Sequence, residues 1–187
     1  MTSPFKVVAV SGGTYRPSRT LVLTQALIAE LGQSLPIDSR VIELTDIAAP
    51  LGATLARNQA PAELQAVLDE IESADLLLVA SPVYRGSYPG LLKHLFDLID
   101  LNALIDTPGA ARRHWRHRAP RAGPRPPVAP AVQLLPGDHP AHRGSTPARP
   151  TSTTYRIVSE PLKARIRLAA ERAAPLFGGR SELLKIA

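Results

Sequence analysis

The sequence contains no cysteine, which excludes a disulfide framework and a thiolate metal site. Aromatic residues make up only 4% of its 187 residues, which argues against a surface that binds nucleic acid by stacking bases. No apolar run is long enough to span a membrane, and residues 1–10 are too short and too weakly basic for a signal peptide. These absences predict one soluble, cytoplasmic domain comprising residues 1–187.

The net charge of +6 is concentrated in residues 109–154, which we call the Pro/Arg segment. This segment holds nine prolines and eight arginines and carries a charge of +7, whereas the rest of the chain carries −1. A basic protein that binds nucleic acid is therefore a hypothesis that depends on this segment alone. We expect no nucleic-acid partner for the remainder of the chain.

Outside the Pro/Arg segment, apolar runs alternate with stretches of helical spacing. The runs that predict strands are Lys6–Val10, Ser39–Leu44 and Asp75–Ala80. The predicted helices run from Ser18 to Gly32, around the apolar stripe from Leu64 to Ile71, from Tyr88 to Ile99, and from Ser159 to Gly178. This alternation predicts an α/β fold with a doubly wound parallel sheet.

The Pro/Arg segment stands where such a sheet needs a fourth strand. Nine prolines argue against any helix or central strand there. It could be a disordered, anion-binding arm, or the product of two compensating frame shifts in a GC-rich gene. It could also be a metal loop built from His114, His117, His139 and His142. Ala, Arg, Gly and Pro, the residues of GC-only codons, fill 29 of its 46 positions, which favours the frame-shift hypothesis, so we predict no metal site.

The turn after the first predicted strand, Ser11–Thr20, combines glycines with hydroxyl side chains. Gly12 and Gly13 allow the backbone to approach a ligand closely, and Thr14 and Ser18 can surround an anionic oxygen at the start of a helix. The turn lacks the third glycine of a dinucleotide fingerprint and the Gly-Lys pair of a P-loop. It therefore indicates a phosphate monoester, as in FMN.

The turn after the third predicted strand, Ser81–Lys93, is rich in proline, tyrosine and glycine. Such a turn offers a rigid wall for a flat ring. In a doubly wound sheet, ligands bind at the carboxyl ends of the strands, where the direction of the connections reverses. We therefore expect this turn and the turn after the first strand to meet at one crevice.

Together, SGGTYRPSR and SPVYRGSYPGLLKHLFDLI resemble the NADPH-dependent FMN reductases of flavodoxin-like fold. The resemblance is greatest to the branch that supplies reduced flavin to methanesulfonate and alkanesulfonate monooxygenases. It covers residues 5–108 and the chain from Tyr155 onward. It implies FMN as cofactor, NADPH as reductant, a sulfonate monooxygenase as partner, and a homo-oligomer, either a dimer or a tetramer.

The resemblance also implies which residues hold the flavin. The residues implied for the FMN phosphate are Gly12, Gly13, Thr14, Ser18 and Arg19. Those implied for the isoalloxazine ring are Pro82, Val83, Tyr84, Arg85 and Ser87. Guanidinium groups suit phosphate oxygens, so Arg16, Arg19 and Arg85 are also candidates for the 2′-phosphate of NADPH, with solvated surface charge as the alternative.

Hydride transfer from nicotinamide C4 to flavin N5 needs no acid–base side chain, so we predict no catalytic residue and a structural role for His94. Two other functions stay open. One is a reductase that keeps FMN bound and passes electrons to a quinone, an azo dye or a metal oxyanion. The other is a flavodoxin-type electron carrier, although flavodoxins tend to be acidic and the body of this chain is nearly neutral.

Overall fold

The computed structural model describes residues 4–100, 103–104, 131–133 and 155–174. The strands are β1 (Phe5–Ser11), β2 (Ile37–Glu43), β3 (Leu76–Ala80) and β4 (Ala131–Gln133). The helices are α1 (Arg19–Leu31), α2 (Leu44–Ala53), α3 (Ala62–Glu72), α4 (Gly90–Asp97) and α5 (Glu160–Ala173). A short 3₁₀ turn, Arg57–Gln59, precedes α3.

The strands form one parallel sheet in the order β2-β1-β3-β4. Val8 at the centre of β1 pairs with Arg40 of β2 on one side and with Leu77 of β3 on the other. After β2 the chain therefore reverses direction and places β3 on the opposite side of β1. The predicted doubly wound α/β fold is confirmed, and its reversal point lies between β1 and β3.

Successive side chains of β1 point to opposite faces of the sheet, and both faces are covered by helices. Val8 and Val10 belong to a buried cluster with α2, α3 and α4, whereas Val7 and Ala9 belong to one with α1 and α5. The first cluster includes Leu51, Leu64 and Leu95, and the second includes Leu27 and Ile166. Burial on both faces explains why β1 reads as a continuous apolar run.

The prediction that the Pro/Arg segment lacks the fourth strand is wrong at Ala131–Gln133, which pairs in parallel with Leu77–Val79 of β3 at the edge of the sheet that the structure describes. A proline removes the hydrogen-bond donor only at its own position. Residues 131–135 lie between Pro130 and Pro136 and contain no proline. This interval is long enough for the three residues that pair.

Helix α2 was not predicted from the sequence. Leu44 was assigned to the end of the second strand, but it is the first residue of α2, and Pro50 lies inside the helix. Leu44, Ile47 and Leu51 have helical spacing, and all three contribute to the buried cluster next to α4. Their burial stabilises a helix that the proline alone would disfavour.

Helices α1 and α5 begin where they were predicted, with Ser18 and Ser159 as their N-cap residues. Only the Ser18 hydroxyl makes a capping hydrogen bond. Ser18 Oγ accepts a hydrogen bond of 3.1 Å from the Leu21 N–H. Ser159 occupies the N-cap position of α5, but its side chain makes no capping hydrogen bond. Pro161 lies in the first turn of α5, where a missing N–H has no consequence.

Some features predicted from the sequence lie outside the described residues. They include the four histidines of the metal hypothesis and the end of the last predicted helix at Gly178. Among the helices that the structure describes, none combines the length and the apolar composition needed to cross a bilayer.

Replacing Leu68 by alanine tests the core. Leu68 lies on the buried face of α3 and is fully buried, whereas Leu55 is 83% exposed. We expect Leu68→Ala to lower the free energy of unfolding by about 2–5 kcal/mol because it leaves a cavity. The matched change Leu55→Ala should alter it by no more than about 0.5 kcal/mol. Urea denaturation measures both, and equal losses would contradict the assigned core.

Candidate functional site

A cleft of about 710 Å³ opens at the carboxyl ends of β1 and β3. We call residues 12–18 loop 1 and residues 81–89 loop 2. The cleft is lined from both loops and from the start of α4 by Thr14, Tyr15, Val83, Tyr84, Arg85, Tyr88, Pro89, Gly90 and Leu91. Its volume is within the roughly 300–1,000 Å³ that small-molecule sites occupy. The predicted meeting of the two turns at one crevice is confirmed.

The ends of β1 and β3 are held together at Gly12. Its N–H donates a hydrogen bond of 2.7 Å to the Ala80 carbonyl oxygen. A Cβ atom at this position would lie 2.8 Å from Leu92 Cδ2 and 3.1 Å from the Ala80 oxygen. The two strand ends and α4 therefore approach one another more closely than any side chain at this position would permit.

Loop 1 leads into α1 through a second close approach. A Cβ atom at Gly13 would lie 2.7 Å from Ser18 Oγ, the atom that caps the helix. That cap uses the Leu21 N–H, and the Val22 N–H donates to the Ser18 carbonyl oxygen. The N–H groups of Arg19 and Thr20 precede the first intrahelical bonds, so they are positioned to bind an anion.

Loop 2 contains a tight two-residue turn at its tip. Tyr84 and Ser87 exchange two backbone hydrogen bonds, of 2.6 and 3.0 Å. The residues between them, Arg85 and Gly86, have φ angles of 49° and 83°. Positive φ at both central positions is typical of a type I′ turn, a rigid connection that suits a wall of a binding site.

Exposed aromatic rings connect the two loops across the cleft. The Thr14 hydroxyl donates a hydrogen bond of 3.3 Å to the Tyr84 hydroxyl, and the rings of Tyr15 and Tyr84 lie 6.4 Å apart. Tyr15 is 75% exposed, and Tyr88 and Val83 are also largely open to solvent. A group of exposed apolar side chains around a concave surface indicates a site for a flat, partly apolar ligand.

Residues 5–119 match the family described as NADPH-dependent FMN reductase. The chain belongs to this family. The reductase is 77% identical to an "FMN reductase (NADPH)" of Pseudomonas aeruginosa and 61% identical to an "NADH-dependent FMN reductase SfnF" of Pseudomonas fluorescens, and each comparison covers 100% of both chains. A solved oxidoreductase from Corynebacterium diphtheriae shares its fold, with a TM-score of 0.61, 22% identity, and coverage of 94% of this chain and 97% of that one.

Family membership makes the protein an enzyme, an oxidoreductase that works with FMN and a reduced nicotinamide nucleotide. The structure brings Thr14, Val83, Tyr84 and Arg85 of the predicted flavin residues into the cleft wall. The other predicted residues lie beside the wall, where they shape or support the loops: Gly12, Gly13, Arg16, Ser18, Arg19, Pro82 and Ser87.

Two of the arginines predicted as phosphate ligands have partners within the protein. Arg16 forms ion pairs with Glu43 at 3.0 Å and with Asp46 at 2.6 Å. The hydrogen bond to Glu43, followed by the charges of Glu43 and Asp46, raises the pKa of the Arg16 guanidinium. The guanidinium carbon of Arg19 lies 5.0 Å from the centre of the Tyr155 ring, a cation–π contact with the segment before α5.

The cleft also includes residues that were not predicted to bind flavin: Tyr15, Tyr88, Pro89, Gly90 and Leu91. Tyr15 and Tyr88 lie within the two turns from which the sequence predicts ligand binding. A polar, glycine-rich turn has no apolar stripe of its own against which a large aromatic ring could pack. An aromatic residue in such a turn was therefore the signal in the sequence that could have predicted Tyr15 and Tyr88 as residues of the cleft wall.

The predicted structural role of His94 agrees with its contacts. His94 Nε2 lies 3.1 Å from the Leu51 carbonyl oxygen and 2.7 Å from that of Thr54. Because both partners are carbonyl oxygens, Nε2 carries a proton and donates to them. The ring thereby attaches α4 to the end of α2, and it is not among the residues that line the cleft.

Replacing Gly13 by alanine tests the approach between loop 1 and the cap of α1. The new Cβ displaces Ser18 Oγ, so we expect a loss of about 1 kcal/mol or more in the free energy of unfolding. Gly52→Ala is the matched control because a Cβ there meets nothing within 4 Å, and it should stabilise α2 by about 0.5–1 kcal/mol. In Gly13→Ala/Ser18→Ala the new Cβ no longer clashes with a hydroxyl at position 18. The double variant should therefore lose less unfolding free energy than the two single variants together. Additive losses would contradict this geometry.

Replacing His94 by alanine tests its structural role. Two carbonyl oxygens lose their donor, and we expect a loss of about 1–3 kcal/mol in stability with an unchanged kcat for FMN reduction. Lys93→Ala removes only a surface ion pair with Asp97 on the same helix and serves as the control. A fall in kcat together with the loss of one limb of its pH profile would instead identify His94 as a proton carrier.

Proposed function

We propose that this reductase transfers hydride from NADPH to FMN and releases reduced FMN for use by a flavin-dependent sulfonate monooxygenase. The observation that carries the proposal is the 77% identity, over the full length of both chains, to a protein named FMN reductase (NADPH). The cleft supports it independently, since its two loops offer an anion site and an aromatic wall side by side.

We assign the FMN phosphate to loop 1. Gly12, Gly13, Thr14 and Ser18 surround the start of a 13-residue helix, whose positive end favours a dianion. The backbone N–H groups of Arg19 and Thr20 supply donors, and the Thr14 hydroxyl adds one when its proton turns from the Tyr84 hydroxyl to the phosphate. The Arg19 guanidinium stabilises the loop from its position over Tyr155. The crowding at Gly12 and Gly13 fits a backbone that closely approaches a bound group.

We assign the isoalloxazine ring to loop 2, against Pro82, Val83, Tyr84, Arg85 and Ser87. The type I′ turn fixes the backbone of this wall, and the exposed faces of Tyr84 and Tyr88 provide apolar area for a flat ring. FMN, when bound, supplies the hydride acceptor. The protein aligns the two rings and excludes water from the contact between them.

The release of reduced flavin is a further part of this proposal. If reduced FMN is a diffusible product, FMN must bind moderately and exchange with free FMN in solution. The sulfonate monooxygenase is inferred from the resemblance of SPVYRGSYPG to the branch of the family that supplies such enzymes.

The test is anaerobic reduction of excess free FMN by NADPH with limiting protein. We expect many equivalents of FMN to be reduced per protein, because the product leaves the cleft and is replaced. Reduction that stops at one equivalent, and resumes only with a quinone, an azo dye or a metal oxyanion, would favour a tightly bound cofactor. Failure to oxidise NADPH at all would favour an electron carrier.

A second arm of the same experiment tests the partner. The reductase with NADPH and FMN is placed on one side of a dialysis membrane, and a methanesulfonate monooxygenase with its substrate on the other, under limiting oxygen. Sulfite should form across the membrane, since the flavin diffuses. Sulfite that forms only when the two proteins are mixed would contradict transfer by free reduced FMN.

A further inference from the structure

We propose that Arg85 determines the preference for NADPH over NADH by binding the 2′-phosphate of the nucleotide. This inference rests on the proposed function and deepens it, because it assigns nucleotide specificity to one side chain of the cleft. Nucleotide preference differs among the named relatives, since one is named for NADPH and another, 61% identical to this chain, for NADH.

The other two candidate arginines are engaged elsewhere. Arg16 is held by the carboxylates of Glu43 and Asp46, and a dianion that approached it would have to displace or repel them. Arg19 lies over the Tyr155 ring. Neither residue lines the cleft. Their existing contacts support loop 1 and leave the recognition of a second phosphate to another residue.

Arg85 is the only charged residue among the described residues that line the cleft. It forms no ion pair with the part of the chain that the structure describes. The flavin phosphate is assigned to loop 1, whereas Arg85 stands at the tip of loop 2. A second anionic group entering the cleft on that side therefore meets this guanidinium first.

The backbone at Arg85 is a second, independent observation. Its φ of 49° lies in the left-handed region, which glycine and asparagine adopt more easily than arginine. The neighbouring Gly86 takes the other positive φ without a side chain. A long cationic side chain on this rigid turn therefore occupies a position where local stability favours a smaller residue. An outlier of this kind supports a functional role for the side chain.

The chemistry of the guanidinium suits the assignment. Its planar array of N–H donors can bind two oxygens of a phosphate at once, and NADH has only a hydroxyl at the same ribose position. The interaction therefore contributes to binding of NADPH and is missing for NADH. It should affect kcat/KM for one nucleotide far more than for the other.

The decisive variant is Arg85→Gln, which removes the charge but keeps a long, unbranched side chain on the same turn. Because Arg85 also belongs to the wall assigned to the flavin ring, the readout is the ratio of kcat/KM for NADPH to kcat/KM for NADH. We expect this ratio to fall about tenfold or more, the size of a lost charge-assisted hydrogen bond. Arg85→Lys keeps the charge but loses the planar pair of donors, so its kcat/KM for NADPH should fall less. Arg40→Gln is the matched control, because Arg40 of β2 forms a surface ion pair with Glu70 of α3 and does not line the cleft.

Binding of 2′,5′-ADP measured by calorimetry gives a readout without turnover. The wild type and Arg40→Gln should bind 2′,5′-ADP more tightly than 5′-AMP, and Arg85→Gln should bind the two equally. An equal fall in kcat/KM for NADPH and NADH, or no change for either, would overturn the proposal. So would a wild type that does not discriminate between 2′,5′-ADP and 5′-AMP.

These outcomes are distinct from a failure of the proposed function. A protein that reduces no FMN with either nucleotide contradicts the FMN reductase proposal itself. A protein that reduces FMN equally well with both nucleotides, and still does so in Arg85→Gln, retains that function and contradicts only the role of Arg85.

Discussion

The contact on which the site depends is the hydrogen bond from the Gly12 N–H to the Ala80 carbonyl oxygen at the ends of β1 and β3. It holds two neighbouring parallel strands together at the point where the chain reverses direction across the sheet. The loops that follow diverge around one cleft because they lead to α1 and α4, which cover opposite faces of the sheet. The hydroxyl pair of Thr14 and Tyr84 then connects their tips.

Much of the fold could be predicted because burial leaves a periodic pattern in the sequence. β1 and β3 read as apolar runs since both faces of the sheet are covered, and α3 shows its buried stripe directly. Two elements could not be predicted in this way. α2 was hidden because a proline interrupts its pattern, and β4 because the composition of a long segment says little about a three-residue interval within it.

The position of the cleft could also be predicted, since the topology alone brings the two turns together. The roles of individual side chains could not. Arg16 lies in a turn suited to phosphate, but its partners Glu43 and Asp46 come from the end of β2 and the start of α2. Such an ion pair depends on how β2 and α2 pack against loop 1, and the residues around Arg16 in the sequence do not indicate it. Arg85 forms no such ion pair with the described residues, and its left-handed backbone also distinguishes it from Arg16.

Three of the four tyrosines, Tyr15, Tyr84 and Tyr88, line the cleft, and Arg19 covers the ring of the fourth, Tyr155. The tyrosine part of the intrinsic ultraviolet emission, which adds to that of the single Trp115, therefore comes in large part from the rings that a flavin would contact. A flavin accepts excitation energy from nearby tyrosines, so occupancy of the cleft changes that emission without any added label. The tyrosine emission of the unlabelled protein can therefore be used to follow flavin binding and release.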